Sequence, residues 1–342
     1  MNKRPIDVKW VYKLKLKPDG QIARYKSRLV AKGFLQKHGL DYDEVFAPVA
    51  RIETVRMVVS IASYKGLKQA PRAWNKRIDR FLIEQQFEKC VNEHGVYVKK
   101  GAAAPALLIC LYVDDLLLTG SDEVKISEFK FRMEKEFEMT DLDMLAYFLG
   151  IEFETRKNGI FMHQKRYASD VLKMFKMQDC NGSSTPSESG LVLSKEGNDL
   201  EGNDELIDPT TFKKIVGSLR YLCNTRPDIS YSVGMVSRYM EKSRTSHYMA
   251  AKRILRYIKE TIELELLYSI KLNEEEAEFI GFTDADWCGD MDDRKSTIDY
   301  VFTINNSPIS WCSKKQSIVA LSTCEAEYVA ASRRACQAVW MA

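Results

Sequence analysis

The sequence predicts an α+β architecture, and three observations carry that expectation. Ala106 to Val113 is apolar, Asp114 and Asp115 follow, and Leu116 to Leu118 is apolar again, which reads as strand, acidic turn, strand. Several later stretches, Ser246 to Ile262 among them, repeat apolar residues at helical spacing. A polar stretch over residues 181–208, containing Ser183-Ser184-Thr185-Pro186-Ser187 and the acidic run Lys195 to Glu205, divides the chain like a linker. With 342 residues, 45% of them apolar and 29% charged, there is enough chain for about two cores.

Taking the elements in order, Trp10, Tyr12, Leu14 and Leu16 alternate with Lys9, Lys13, Lys15 and Lys17 until Pro18-Asp19-Gly20 supplies a turn. Gln21 to Val30 returns with Arg24, Lys26 and Arg28 again spaced by two, giving a hairpin with one basic face. Residues 1–40 hold eleven Lys and Arg against two Asp, although the net charge of the chain is only +3. That local excess points toward a polyanion or toward a solvated basic face. Glu53 to Ser63 has the spacing of a short helix, and Ala70 to Phe87 that of a longer one, with Trp74, Ile78, Phe81 and Leu82 on its core side.

Turn propensity does not explain Asp114-Asp115. A two-residue hairpin turn favours Gly or Asn-Gly, and adjacent carboxylates beside buried strands repel one another. From the residues alone, two readings stay open: an exposed acidic hairpin tip, or a site for a hard divalent cation such as Mg²⁺. Beyond it, Glu123 to Phe137 reads as an amphipathic helix and Tyr147 to Glu154 as a strand, with Gly159 in the following turn. In Ser246 to Ile262, Ala251, Ile254, Leu255 and Ile258 share one face while Lys252, Arg256 and Lys259 line another. A strand from Ala277 to Asp284, a loop at Asp290 to Arg294, a hairpin around Asn305-Asn306-Ser307 and a helix opened by the capping box Ser322 to Glu325 complete the chain. That box gives Glu325 a structural task and leaves Glu327 without one.

The eight cysteines form no C-x-x-C pair and the four histidines show no ligand spacing, so neither a zinc site nor a disulfide framework is expected. No signal peptide is visible, and the longest apolar run, Ala102 to Val113, is interrupted by Pro105. The expectation is a soluble, intracellular protein without a membrane segment, its oligomeric state left open.

Tyr112-Val113-Asp114-Asp115 between apolar strands resembles the palm motif of reverse transcriptases, and its surroundings resemble the Pol polyprotein of copia-type LTR retrotransposons. Arg24-Tyr25-Lys26 to Gly33, Asp41-Tyr42 to Val49, Gly66 to Trp74, Tyr147-Phe148-Leu149-Gly150, Arg226-Pro227-Asp228-Ile229 and Thr283-Asp284-Ala285-Asp286-Trp287 match in the family's order. The resemblance implies reverse-transcriptase fingers, partial palm and thumb start over residues 1–180, a linker at 181–208, a helical connection at 209–275 and a partial ribonuclease H-like α/β domain at 276–342. It implies Asp114 and Asp115 as polymerase metal ligands, Asp284 and Glu327 as ribonuclease H ligands, and Mg²⁺ or Mn²⁺ as the ion. Lys26, Arg28, Gln69 and Arg72 are then expected near the nucleotide. Lys13, Lys15, Arg24, Lys252, Arg256 and Lys259 are expected on nucleic acid. The implied partners are an RNA template, an RNA/DNA hybrid and a deoxynucleoside triphosphate.

The chain departs from the family in two places. The family carries an Asp-bearing strand and an acidic segment between the helix ending near Ser63 and the Gly66 motif, whereas Ser63-Tyr64-Lys65 here runs straight into Gly66. The family also continues past the position of Ala342 with a further carboxylate. Two-metal phosphoryl transfer needs carboxylates that bridge both ions, and neither Asp41, Asp43 nor Asp79 is an obvious replacement. The resemblance therefore implies impaired catalysis, with an active polymerase and a nucleic-acid-binding remnant as the alternatives. Loss of a central palm strand is further expected to leave Ala106 to Val113 with unpaired backbone and an open apolar face, and the region 1–180 aggregation-prone.

Overall fold

A computed structural model describes residues 8–16, 22–31, 66–68, 72–101, 105–112, 115–137, 139, 141–142, 144–197, 204–269 and 278–341. By contact, the chain separates into two units, Met1–Pro48 and Val49–Ala342. In the first unit, β1 (Val8–Leu16) pairs antiparallel with β2 (Ile22–Ala31). This is the hairpin that the alternation predicts; its turn at Pro18 to Gly20 lies outside the described residues, as do Asp41, Asp43 and the helix expected at Glu53 to Ser63.

The second unit opens with a five-stranded antiparallel sheet in the order β3-β7-β6-β5-β4. Its strands are β3 (Gly66–Lys68), β4 (Glu88–Lys89), β5 (Val96–Lys100), β6 (Pro105–Tyr112) and β7 (Asp115–Gly120). Helices α1 (Arg72–Glu84) and α2 (Glu123–Glu136) pack with it. Period-two alternation explains the unbroken apolar run. Ile109, Leu111, Leu116 and Leu118 join Ile78, Leu82, Phe129 and Met133 in one core, while Cys110 and Leu117 enter a second core on the other face. Asp122 caps α2, its carboxylate accepting from the Val124 and Lys125 amides.

One expectation is corrected here. β6 is not left with unpaired backbone: it pairs with β5 on one side and β7 on the other, and β7 pairs in turn with β3. The Gly66 motif itself lies along β7, and both faces of β6 are buried.

A second antiparallel sheet runs β11-β10-β9-β8, from β8 (Tyr147–Phe148), β9 (Ile151–Arg156), β10 (Gly159–His163) and β11 (Leu266–Ser269). The single strand expected over Tyr147 to Glu154 is broken by a turn at Leu149 and Gly150, both at positive φ (52° and 79°). The Tyr221 hydroxyl donates to the Leu149 carbonyl at 2.6 Å, and a Cβ on Gly150 would stand 1.7 Å from that hydroxyl. Gly150→Ala is therefore expected to cost about 2 kcal/mol or more, combining a left-handed backbone with a displaced tyrosine. Thermal denaturation beside Tyr221→Phe, which loses only a hydrogen bond of about 1 kcal/mol, checks the difference.

The helices α3 (Lys165–Met174), α4 (Pro209–Leu222), α5 (Ser230–Val236) and α6 (Thr245–Glu260) share a core of Val171, Phe212, Ile215, Leu219, Ile254 and Ile258. Asp208 accepts from the Thr210 amide, and Pro209 occupies the first turn of α4 where no amide is needed. The stretch expected as a linker is packed where it is described. Leu193 is buried in the helical core, its carbonyl accepts from the Tyr239 hydroxyl at 2.8 Å, and the Ser194 carbonyl meets His247 Nε2 at 2.9 Å.

A third sheet, β12 (Phe279–Ala285), β13 (Thr297–Ile304) and β14 (Ser307–Lys315), is antiparallel in that order, with α7 (Thr323–Met341) against β12 and β13. Asn305 and Asn306 both take positive φ (50° and 63°), as a two-residue hairpin turn requires. Buried Asp290 ties this sheet to the helices. It accepts from Arg238 at 2.9 Å and Lys315 at 2.6 Å, cations that outweigh the opposing effect of burial and hold its carboxyl at about 2.

Candidate active site

Asp115 opens β7 and is half-buried, whereas Asp114 lies outside the described residues, as does Gln69. In the β3–β7 register Lys68 stands directly opposite Asp115, which puts a basic position beside the acidic turn. Asp79 supplies no further ligand there. Its carboxylate already accepts from Lys89 Nζ and the Tyr97 hydroxyl, each at 2.7 Å; despite burial, these partners hold it below the usual carboxylate range. Two octahedral ions need several bridging oxygens, and Asp115 is the one of the two expected carboxylates that lies among the described residues. Arg72 starts α1.

The hairpin gathers its charge more sharply than alternation alone implied. Lys13 is the register partner of Lys26, Lys15 of Arg24, and Val11 of Arg28, so Lys13, Lys15, Arg24, Lys26 and Arg28 occupy one face of the ribbon. Like charges directly opposite destabilise a strand pair, and a polyanion on that face relieves the cost.

The basic face expected on α6 is largely committed within the chain. Arg256 donates to the Asn181 and Gly182 carbonyls at 2.7 and 3.2 Å, Lys259 Nζ donates to the Cys180 carbonyl, and Lys252 lies 4.7 Å from the Tyr248 ring centre. Arg256 and Lys259 thus hold down the packed segment that begins near Cys180.

At the C-terminal end, Asp284 is exposed on β12 with Asp299 of β13 as its register partner. Burial pushes the Asp299 carboxyl above its ordinary range, the Asp286 and Asp284 charges push it further, and the Ser313 hydroxyl opposes them. Glu325 is occupied at the start of α7, its carboxylate accepting from the Leu321 amide at 2.7 Å and its amide donating to Ser322 Oγ at 3.2 Å. Glu327 is exposed two residues further on, without such a task. Sequence reading missed Asp299; its only signal is an acid inside the apolar strand Ile298-Asp299-Tyr300-Val301.

Because its folded-state pKa is raised, Asp299 binds protons in the native state that the unfolded chain releases. Stability is therefore lost as pH rises above the unfolded value near 3.9. Asp299→Asn is expected to raise the melting temperature at pH 7, with the gain shrinking toward pH 4. Paired thermal scans at the two pH values check it.

Antiparallel sheets with packed helices make this a mixed α/β protein, and comparison with known proteins identifies the family. Residues 1–66 and 62–189 match the model of the family described as Reverse transcriptase (RNA-dependent DNA polymerase), and the chain belongs to that family. It is 35% identical over 393 positions to the retrovirus-related Pol polyprotein from transposon TNT 1-94 of Nicotiana tabacum, covering 99% of this chain and 29% of that protein. It is 33% identical over 388 positions to the Pol polyprotein from transposon RE1 of Arabidopsis thaliana, covering 98% of this chain and 26% of that one. An uncharacterized mitochondrial protein of Arabidopsis thaliana is 37% identical over 236 positions, 68% of this chain and 94% of its own length. The chain thus spans less than a third of the Pol polyproteins it resembles. The tobacco comparison runs over 393 positions where this chain has 342 residues, so at least 51 positions face no residue here. The two segments matched to the family model meet and overlap at 62–66. Among the described residues, no helix is long and apolar enough to cross a membrane.

Proposed function

We propose that this chain is a retrotransposon Pol fragment of reverse-transcriptase and ribonuclease H type that binds primed template or RNA/DNA hybrid without extending it. The observation that carries the reading is the junction at 62–66, where the family match breaks in two beside the motif that begins at Gly66. In this reading 1–180 are fingers, partial palm and thumb start, 181–208 a joining segment, 209–275 a helical connection, and 276–342 a ribonuclease H-like domain. Asp114 and Asp115 are the remaining polymerase acids; Lys26, Arg28, Gln69 and Arg72 face a nucleotide; Asp284 and Glu327 are the remaining nuclease acids.

Bound Mg²⁺ would supply charge neutralisation and an activated nucleophile. The residues here do less. Lys13, Lys15, Arg24 and Lys26 meet backbone phosphates, with Lys252 adding to them, while Arg256 and Lys259 keep their carbonyl partners. Binding of this kind sums charge and tolerates an incomplete catalytic centre. The test is primer extension on an RNA template with Mg²⁺ or Mn²⁺. No product above background is expected, and robust extension abolished by Asp115→Ala overturns the reading.

A further inference from the structure

We infer that Glu154, His163 and Glu265 form a binding site for one divalent transition-metal ion of the Zn²⁺ class, away from both acidic centres. The three residues come from β9, from the end of β10 and from the position just before β11, and one potential ligand atom of each lies within 4.8 Å of the others. His163 Nε2 is 3.2 Å from Glu154 Oε1 and 3.8 Å from Glu265 Oε1. Ligands about 2.0–2.1 Å from a tetrahedral ion stand about 3.4 Å apart, so these separations bracket the required geometry.

The surroundings turn these atoms toward one point. Arg156 donates to Oε2 of Glu154 and, at 2.7 Å, to Oε2 of Glu265, leaving both Oε1 atoms on the side of the histidine. Its second guanidinium nitrogen and Lys165 Nζ also reach Glu265 Oε1, at 2.9 and 2.8 Å. Lys165 already shares its ammonium with Glu263 at 2.7 Å, an exposed partner to which it can retire when the ion takes Oε1.

Two further observations favour a cation. The His163 ring is buried, 4% exposed, and its Nε2 is turned toward both carboxylates. Three carboxylates, Glu154, Glu263 and Glu265, share the two cations Arg156 and Lys165, and an added cation is drawn to the remainder. Glu154 is half exposed and gives the ion a way in. One nitrogen and two carboxylate oxygens suit Zn²⁺ or Co²⁺ better than Mg²⁺ or Ca²⁺, which take oxygen alone. Bound there, the ion joins the β9–β10 hairpin to the chain leaving α6.

The test is calorimetric titration of the full chain, stripped of metal by chelator and dialysed, with Zn²⁺, followed by Co²⁺ for its visible spectrum. One equivalent is expected to bind with a tetrahedral Co²⁺ spectrum lacking thiolate charge-transfer bands, which separates this site from the eight free cysteines. His163→Ala and Glu265→Gln should each weaken binding at least ~10-fold. Zn²⁺ should raise the melting temperature of the parent chain but not of Glu265→Gln, a comparison that survives if His163→Ala folds poorly. Absence of a one-equivalent site, thiolate bands in the Co²⁺ spectrum, or affinity unchanged in Glu265→Gln overturns the assignment.

Discussion

Reversing four charges on the hairpin, Lys13→Glu, Lys15→Glu, Arg24→Glu and Lys26→Glu, is expected to weaken binding to an RNA/DNA hybrid by on the order of 100-fold or more at low salt. The register makes this specific, because Lys13 faces Lys26 and Lys15 faces Arg24, so the four residues form two adjacent cross-strand pairs on one face. Each basic group that neutralises a phosphate contributes about 0.9 to the slope of log affinity against log salt, and removal of four should lower that slope by about 3.6. Reversing Arg256 and Lys259 instead should act mainly on stability, since both donate to carbonyls at Cys180 to Gly182. Fluorescence anisotropy at several salt concentrations distinguishes the two sets. A slope unchanged by the hairpin reversals contradicts the assignment of that face.

The other large effect concerns chemistry. Inserting an Asp-bearing block of the kind the family resemblance implies between Lys65 and Gly66 is expected to raise primer extension on RNA well above that of the chain as it stands. Two-metal transfer needs several carboxylates, and Asp79, the described acid on the neighbouring helix, is already held by Lys89 and Tyr97. The insertion must also move β3, which now pairs with β7 opposite Asp115, and an added strand provides the competitor for that edge. Asp115→Ala in the grafted chain should abolish the gain. Extension that appears in the graft but survives Asp115→Ala assigns the activity elsewhere.

Much of this was legible in the sequence, and what was not has physical reasons. Strict period two marked the basic hairpin, unbroken apolar runs marked both strands around the acidic pair, and helical spacing marked α2 and α6 within a residue or two. The break at Leu149-Gly150 was hidden because apolar residues continue through it; only the Tyr221 hydroxyl above Gly150 reveals why the chain turns there. The pairing of β3 with β7 could not be read either, since which strand fills an edge depends on long-range competition rather than local pattern. Polar composition at 181–208 suggested a free linker, but single residues such as Leu193 and the helix donors that reach its carbonyls decide that it packs. The grouping of Glu154, His163 and Glu265 joins residues about a hundred positions apart and carries no motif spacing.

The measurement that bears most directly on the central claim puts binding and chemistry on one sample. The chain is equilibrated with a labelled primed RNA template at low salt, the fraction bound is read by anisotropy, and deoxynucleoside triphosphates with Mg²⁺ are then added to the same tube. The account predicts a primer that is bound, released by salt, and unextended at every time point. A bound primer that lengthens, or a template not retained at low salt, contradicts it.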